Sequence, residues 1–161
     1  MSSRKCFVAI LPFVLTFAAN AVAMDHSRWD TLLKEYVSPE SRVDYRTLKE
    51  HGLPNLDAYL RDLAKPWPDG MEPAETKAAL INAYNALTIR WILTNYPVES
   101  IWRTKDPFRA VRHSIDNRLV SLDEIETTLR GMQDPRIHAA GMRRPQLSAA
   151  QAGSLFRRED R

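Results

Sequence analysis

The chain has 161 residues, one cysteine, five scattered glycines and a formal net charge of +3. That length suits a single ordinary domain, and glycines with no cluster among them leave no loop to cradle phosphate. Residues 24–140 hold 16 basic against 18 acidic residues, whereas residues 141–161 hold five arginines against Glu159 and Asp160, so the body is near neutral and argues against a nucleic-acid partner.

Residues 1–23 have the form of a secretory signal peptide. Arg4 and Lys5 make a positive start, no charged residue follows between Cys6 and Met24, and Ala21-Val22-Ala23 supplies the small-x-small pattern that a signal peptidase accepts. Cleavage is expected after Ala23, with a periplasmic or secreted mature protein starting at Met24. The alternative is an uncleaved anchor, because the uncharged run approaches the roughly 20 residues of a membrane span. That segment is the only expected contact with a membrane. Cys6 lies within it, so residues 24–161 contain no thiol and no disulfide.

The mature part opens with a helix predicted from about His26 to Val37, with Trp29, Leu32, Leu33 and Tyr36 on one apolar face. Ser38-Pro39-Glu40-Ser41 ends it, and Val43-Asp44-Tyr45 reads as a short extended piece. Leu48 falls in a brief helical turn that Gly52 and Pro54 are expected to stop. Leu56, Tyr59, Leu60 and Leu63 mark the next helix, and Pro66, Pro68 and Gly70 mark a loop. A long helix is predicted over 73–95. Pro73 suits its first turn, Pro97 disfavours a helical Tyr96, and the interior is apolar on most sides, as in a helix at the centre of a domain. Leu80, Tyr84, Leu87 and Trp91 are its expected buried residues.

Beyond Trp102 the pattern shortens. Asp116-Asn117 between apolar runs predicts a hairpin. Ser121-Leu122-Asp123-Glu124 predicts a capping box for a helix carrying Leu122, Ile125 and Leu129 and ending at Gly131. Arg136 to Ala139 reads as a short strand. From Gly141 onward no helical or strand period persists, and residues 141–161 are expected to be a disordered tail. The fold class expected is α+β: a mostly helical single domain with a central buried helix, a β-hairpin and an incomplete sheet.

Candidate chemistry is sparse. No serine sits in a nucleophile elbow. His26, His51, His113 and His138 lack zinc-like spacing, and neither a metal nor a cofactor is expected. Asn82 and Asn85 lie three apart on the long helix and so share a face. Buried amides need hydrogen-bond partners, so they either tie the helix to loop backbone or orient a bound molecule in a cleft. Arg136 and His138 alternate onto one face of their strand. They are either an ion-pairing arginine and a histidine bonded to backbone, or a binding group and a general base. Asn82, Asn85 and Arg136 are thus the candidate binding residues, and His138 the candidate catalytic one.

Lys77-Ala-Ala-Leu-Ile-Asn82-Ala-Tyr84-Asn85-Ala-Leu-Thr88-Ile89 resembles the signature of the domain-of-unknown-function 547 family. Tyr96-Pro97-Val98-Glu99-Ser100-Ile101, Ser121-Leu122-Asp123-Glu124-Ile125-Glu126 and Arg136-Ile137-His138-Ala139 follow in the family's order, with Val43-Asp44-Tyr45 upstream. The resemblance runs from about Trp29 to Ala140. It implies an exported bacterial protein and no established reaction. After the arginine-x-histidine strand the family continues with cysteine-x4-cysteine-proline, where this chain has Gly141-Met142-Arg143-Arg144-Pro145-Gln146-Leu147-Ser148. A shift of one nucleotide accounts for the difference: ATG before CGN then reads TGC, and CTG-TCC reads TGT followed by a proline codon. The expectation is a partial family domain over 24–140 with a frameshifted tail; a genuine divergent carboxy terminus is the rival. The functional expectation is a binding or scaffold role toward an unknown small molecule or envelope protein, inactive if truncated. The alternative is the remnant of a thiol-dependent enzyme in which His138 would have assisted a cysteine that is missing here.

Overall fold

The computed structural model describes residues 23–98, 106 and 108–132. The first helix, α1 (Ser27–Tyr36), buries Trp29, Leu32 and Tyr36. A short loop doubles back through an antiparallel bridge between Val37 and Val43. Asp44 then starts the next helical stretch, accepting from the Thr47 amide at 3.1 Å and the Thr47 hydroxyl at 2.8 Å. This satisfies an amide that has no acceptor within the helix. Tyr45, expected in extended backbone, is already the first residue of α2 (Tyr45–Thr47).

The expected break at Gly52 and Pro54 does not occur. The chain passes from α2 through one π-helical turn, Leu48–Gly52, directly into α3 (Leu53–Ala64). Gly52 keeps right-handed backbone with φ −94° and ψ −13°. Pro54 sits in the first turn of α3, where a missing N–H costs little. Gly52 is needed for another reason. A Cβ there would lie 2.5 Å from Leu48 Cδ1 and 2.8 Å from Tyr36 Cε2. Its bare backbone is the surface on which the end of α1 rests.

The long helix α4 spans Pro73–Asn95, the range its proline and periodicity predict. It packs between α3 and α5, and Arg90 binds Asp57 of α3 through a 2.6 Å hydrogen bond. Tyr84 and Leu87 are buried as expected, but Leu80 and Trp91 are only half-buried. The more complete burial falls on Ala79, Ala83 and Ala86, whose small side chains let neighbouring helices approach.

Strands β1 (His113–Ile115) and β2 (Arg118–Val120) pair antiparallel with Ile115 opposite Arg118. Asp116 and Asn117 have φ of 50° and 54°, the left-handed pair that a two-residue hairpin turn demands. Helix α5 (Leu122–Gly131) carries the complete capping box. The Ser121 hydroxyl accepts from the Glu124 amide at 3.2 Å, and the Ser121 amide donates to Glu124 Oε2 at 2.7 Å. The fold is mostly helical α+β, and among the described residues its sheet has two strands. The expected strand from Arg136 to Ala139 and the tail lie outside the described residues.

Candidate functional site

Asn82 and Asn85 are both half-buried, less enclosed than expected for amides on a central helix. Asn82 meets a side chain on another helix, making a hydrogen bond to the Tyr59 hydroxyl. On the other side of that hydroxyl, 2.8 Å away, is Nδ1 of His26. Tyr59 is 1% exposed and lies parallel to the Trp29 ring with centroids 5.6 Å apart. A polar chain His26–Tyr59–Asn82 therefore joins the residue before α1 to the middles of α3 and α4. Burial raises the Tyr59 pKa, assisted by the charge of Asp30, against a smaller lowering by Asn82. The phenol thus stays protonated. Burial also lowers the His26 pKa, opposed by Asp30 and Asp25. With the ring neutral, the tautomer decides whether the phenol O–H donates to Nδ1 or accepts from it. Among the described residues the Asn85 side chain has no hydrogen-bond partner. Arg136 and His138 lie outside the described residues.

A concavity lies away from these residues. A groove of about 420 Å³ runs between the loop after α3, the hairpin, the start of α4 and the outer face of α5. Trp67, Met71, Leu80 and Met132 give it apolar walls, and Asp69, Thr76, Arg118 and Thr128 give it polar edges. Neither Asn82 nor Asn85 lines it.

Four hydrogen bonds hold its loop wall in place. The hairpin tip donates to the end of α3, from Asp116 N to Leu63 O and from Asn117 N to Ala64 O, each at 3.0 Å. The Asp116 carboxylate accepts from the Trp67 amide at 2.8 Å. The Trp67 indole N–H donates to Leu63 O at 3.0 Å, which fixes the ring as a wall of the groove. Arg118 completes the corner through a 2.7 Å ion pair with Asp116. Asp116 thus has two roles: its left-handed backbone turns the hairpin and its side chain anchors the loop. The sequence signals only the first, and the contact between Asp116 and Trp67 spans 49 positions. Nothing in the spacing of His26 signals its contact with Tyr59.

Among the described residues no three histidine, cysteine or carboxylate side chains cluster as metal ligands. Among them, too, no helix is long and apolar enough to cross a membrane.

The family model described as "Protein of unknown function, DUF547" matches residues 68–156, more than half of the chain. The chain belongs to the DUF547 family. The DUF547 match begins inside the groove's loop wall, takes in α4, the hairpin and α5, and continues past Ala140. It starts later than the resemblance along the sequence, which begins near Trp29, and it excludes His26 and Tyr59. No curated protein and no solved structure matches the chain.

Proposed function

We propose that this DUF547 protein is exported and acts as a binding module, holding a small amphipathic molecule in the groove between the 65–72 loop, the hairpin and α5. The observation that carries the reading is the fixed wall of that groove. The Trp67 indole is held by its own N–H, and the loop beneath it is held by Asp116. A volume of about 420 Å³ falls in the range of small-molecule sites, and the lining mixes polar and apolar groups about equally. A wall ordered before the ligand arrives spares the ordering cost of binding. Export is supported by Ala21-Val22-Ala23 after an uncharged run.

Binding is favoured over thiol catalysis because residues 24–161 contain no cysteine, and a thiolate mechanism needs one. The test is an amide chemical-shift map of the protein with a set of small amphipathic molecules. Shifts confined to Trp67, Met71, Thr76, Ile115 and Thr128 support the reading. Shifts scattered over α1 and α3, or none from any compound, overturn it.

A further inference from the structure

We propose that the groove beside Trp67 selects an organic ammonium ion carried on a small apolar body, a reading that rests on the groove being the binding site. The balance of charge points to it first. The described residues that line the groove include Asp69, Asp116 and Glu124, and Arg118 is the cation among them. Arg118 is already bound to Asp116 Oδ2 at 2.7 Å, and Asp116 Oδ1 accepts from the Trp67 amide. Glu124 Oε2 accepts from the Ser121 amide at 2.7 Å and is paired with Arg112 Nη1 at 2.8 Å. Asp69 is exposed, and among the described residues its carboxylate has no hydrogen bond or ion pair. The charge the groove has left to offer is therefore negative. It sits on the same loop as Trp67, at the turn where Gly70 takes a left-handed φ of 76°.

The aromatic wall points the same way. The Trp67 indole N–H is spent on Leu63 O, so the ring gives the groove carbon surface and π-electrons but no donor. The face of an indole attracts a cation. The donors that an anion would need are also committed. The Thr128 hydroxyl donates to Glu124 O at 2.9 Å. At the start of α4, Pro73 has no N–H, and the amides of Glu75 and Thr76 donate to Glu72 O at 2.9 and 3.0 Å. The carboxylates of Glu72 and Glu75 further offset the positive end of that helix. An ammonium group held between the Trp67 ring and Asp69 would leave its apolar body to Met71, Leu80 and Met132, and methionine side chains adapt to such a body without dictating its shape.

Phenethylammonium, 2-phenylethanol and phenylacetate share a ring and nearly the same length but differ in charge, and together they test this. Each is titrated into the protein while the Trp67 indole proton and the Met71 and Thr128 amides are followed by NMR. Phenethylammonium should bind about fivefold more tightly than 2-phenylethanol, the size of an exposed cation–π or ion-pair contribution, and phenylacetate should bind most weakly. Asp69→Asn, a change on an exposed loop residue, should lower the affinity for phenethylammonium about two- to fivefold and leave that for 2-phenylethanol unchanged. On the wild type, raising sodium chloride from about 0.05 M to about 0.5 M should shrink the advantage of the ammonium, because an exposed charge is screened. If 2-phenylethanol or phenylacetate binds in the groove as tightly as phenethylammonium, the selectivity is overturned while the groove stands as the binding site. An advantage that Asp69→Asn leaves intact overturns it too. No shift from any of the three probes overturns the selectivity and the groove reading together.

Discussion

Replacing Gly52 by alanine tests the packing logic of the helical stretch directly. In an ordinary helix interior the change stabilises by about 0.5–1 kcal/mol, because alanine loses less backbone freedom on folding. Gly52 has helical backbone, so conformation alone predicts a gain. Packing predicts a loss. The new Cβ would meet Leu48 Cδ1 at 2.5 Å and Tyr36 Cε2 at 2.8 Å. Leu48 is the end of a flexible side chain, but it is 3% exposed and has little room to turn. Tyr36 is a rigid ring, 6% exposed. Overpacking of this kind costs about 1–3 kcal/mol. The cost exceeds the gain, and Gly52→Ala should destabilise the fold by roughly 1 kcal/mol net. Urea unfolding followed by far-ultraviolet circular dichroism reads this as a lower midpoint with an unchanged slope. A midpoint equal to or above that of the wild type would refute the argument that Gly52 is retained for the close approach of α1.

Two further changes probe the groove and the helix beside it. Asp116→Ala removes the acceptor of the Trp67 amide and leaves a β-carbon in left-handed backbone. It should cost about 1–2 kcal/mol in unfolding free energy, and it should shift the Trp67 indole proton in the NMR spectrum as the loop wall loosens. Ser121→Ala removes the cap of α5 and should cost about 0.5–2 kcal/mol, measured by thermal unfolding, with the Glu124 amide losing exchange protection.

Features with local causes were readable from the sequence. Pro73 and Pro97 bracket α4, Asp116-Asn117 turns the hairpin, and Ser121 with Glu124 caps α5. Each is decided within a few residues, by a fixed proline φ, a left-handed turn or a reciprocal hydrogen bond. Gly52 and Pro54 misled because their usual meaning is also local. Here the decisive fact is the α1 ring above Gly52, a tertiary contact that the turn chemistry does not encode. Leu80 and Trp91 are expected in the core because they are large and apolar, but Ala79, Ala83 and Ala86 take the tightest positions. The candidate site was least readable. Asn82 stood out as a polar residue in an apolar helix, but its partner Tyr59 looked like an ordinary core position. His26 had no spacing signal, and the groove is assembled from four segments that only the fold brings together.

The most direct measurement of the central claim is native mass spectrometry of the protein recovered from its own cells, beside a Thr128→Trp variant. Thr128 is an exposed residue of α5 on the groove wall, so an indole there fills the groove without entering the core. Wild-type protein should carry a non-covalent small-molecule mass that denaturation releases, and Thr128→Trp, equally folded, should lack it. The same bound mass on both proteins, or none on the wild type while it remains folded, would contradict the account.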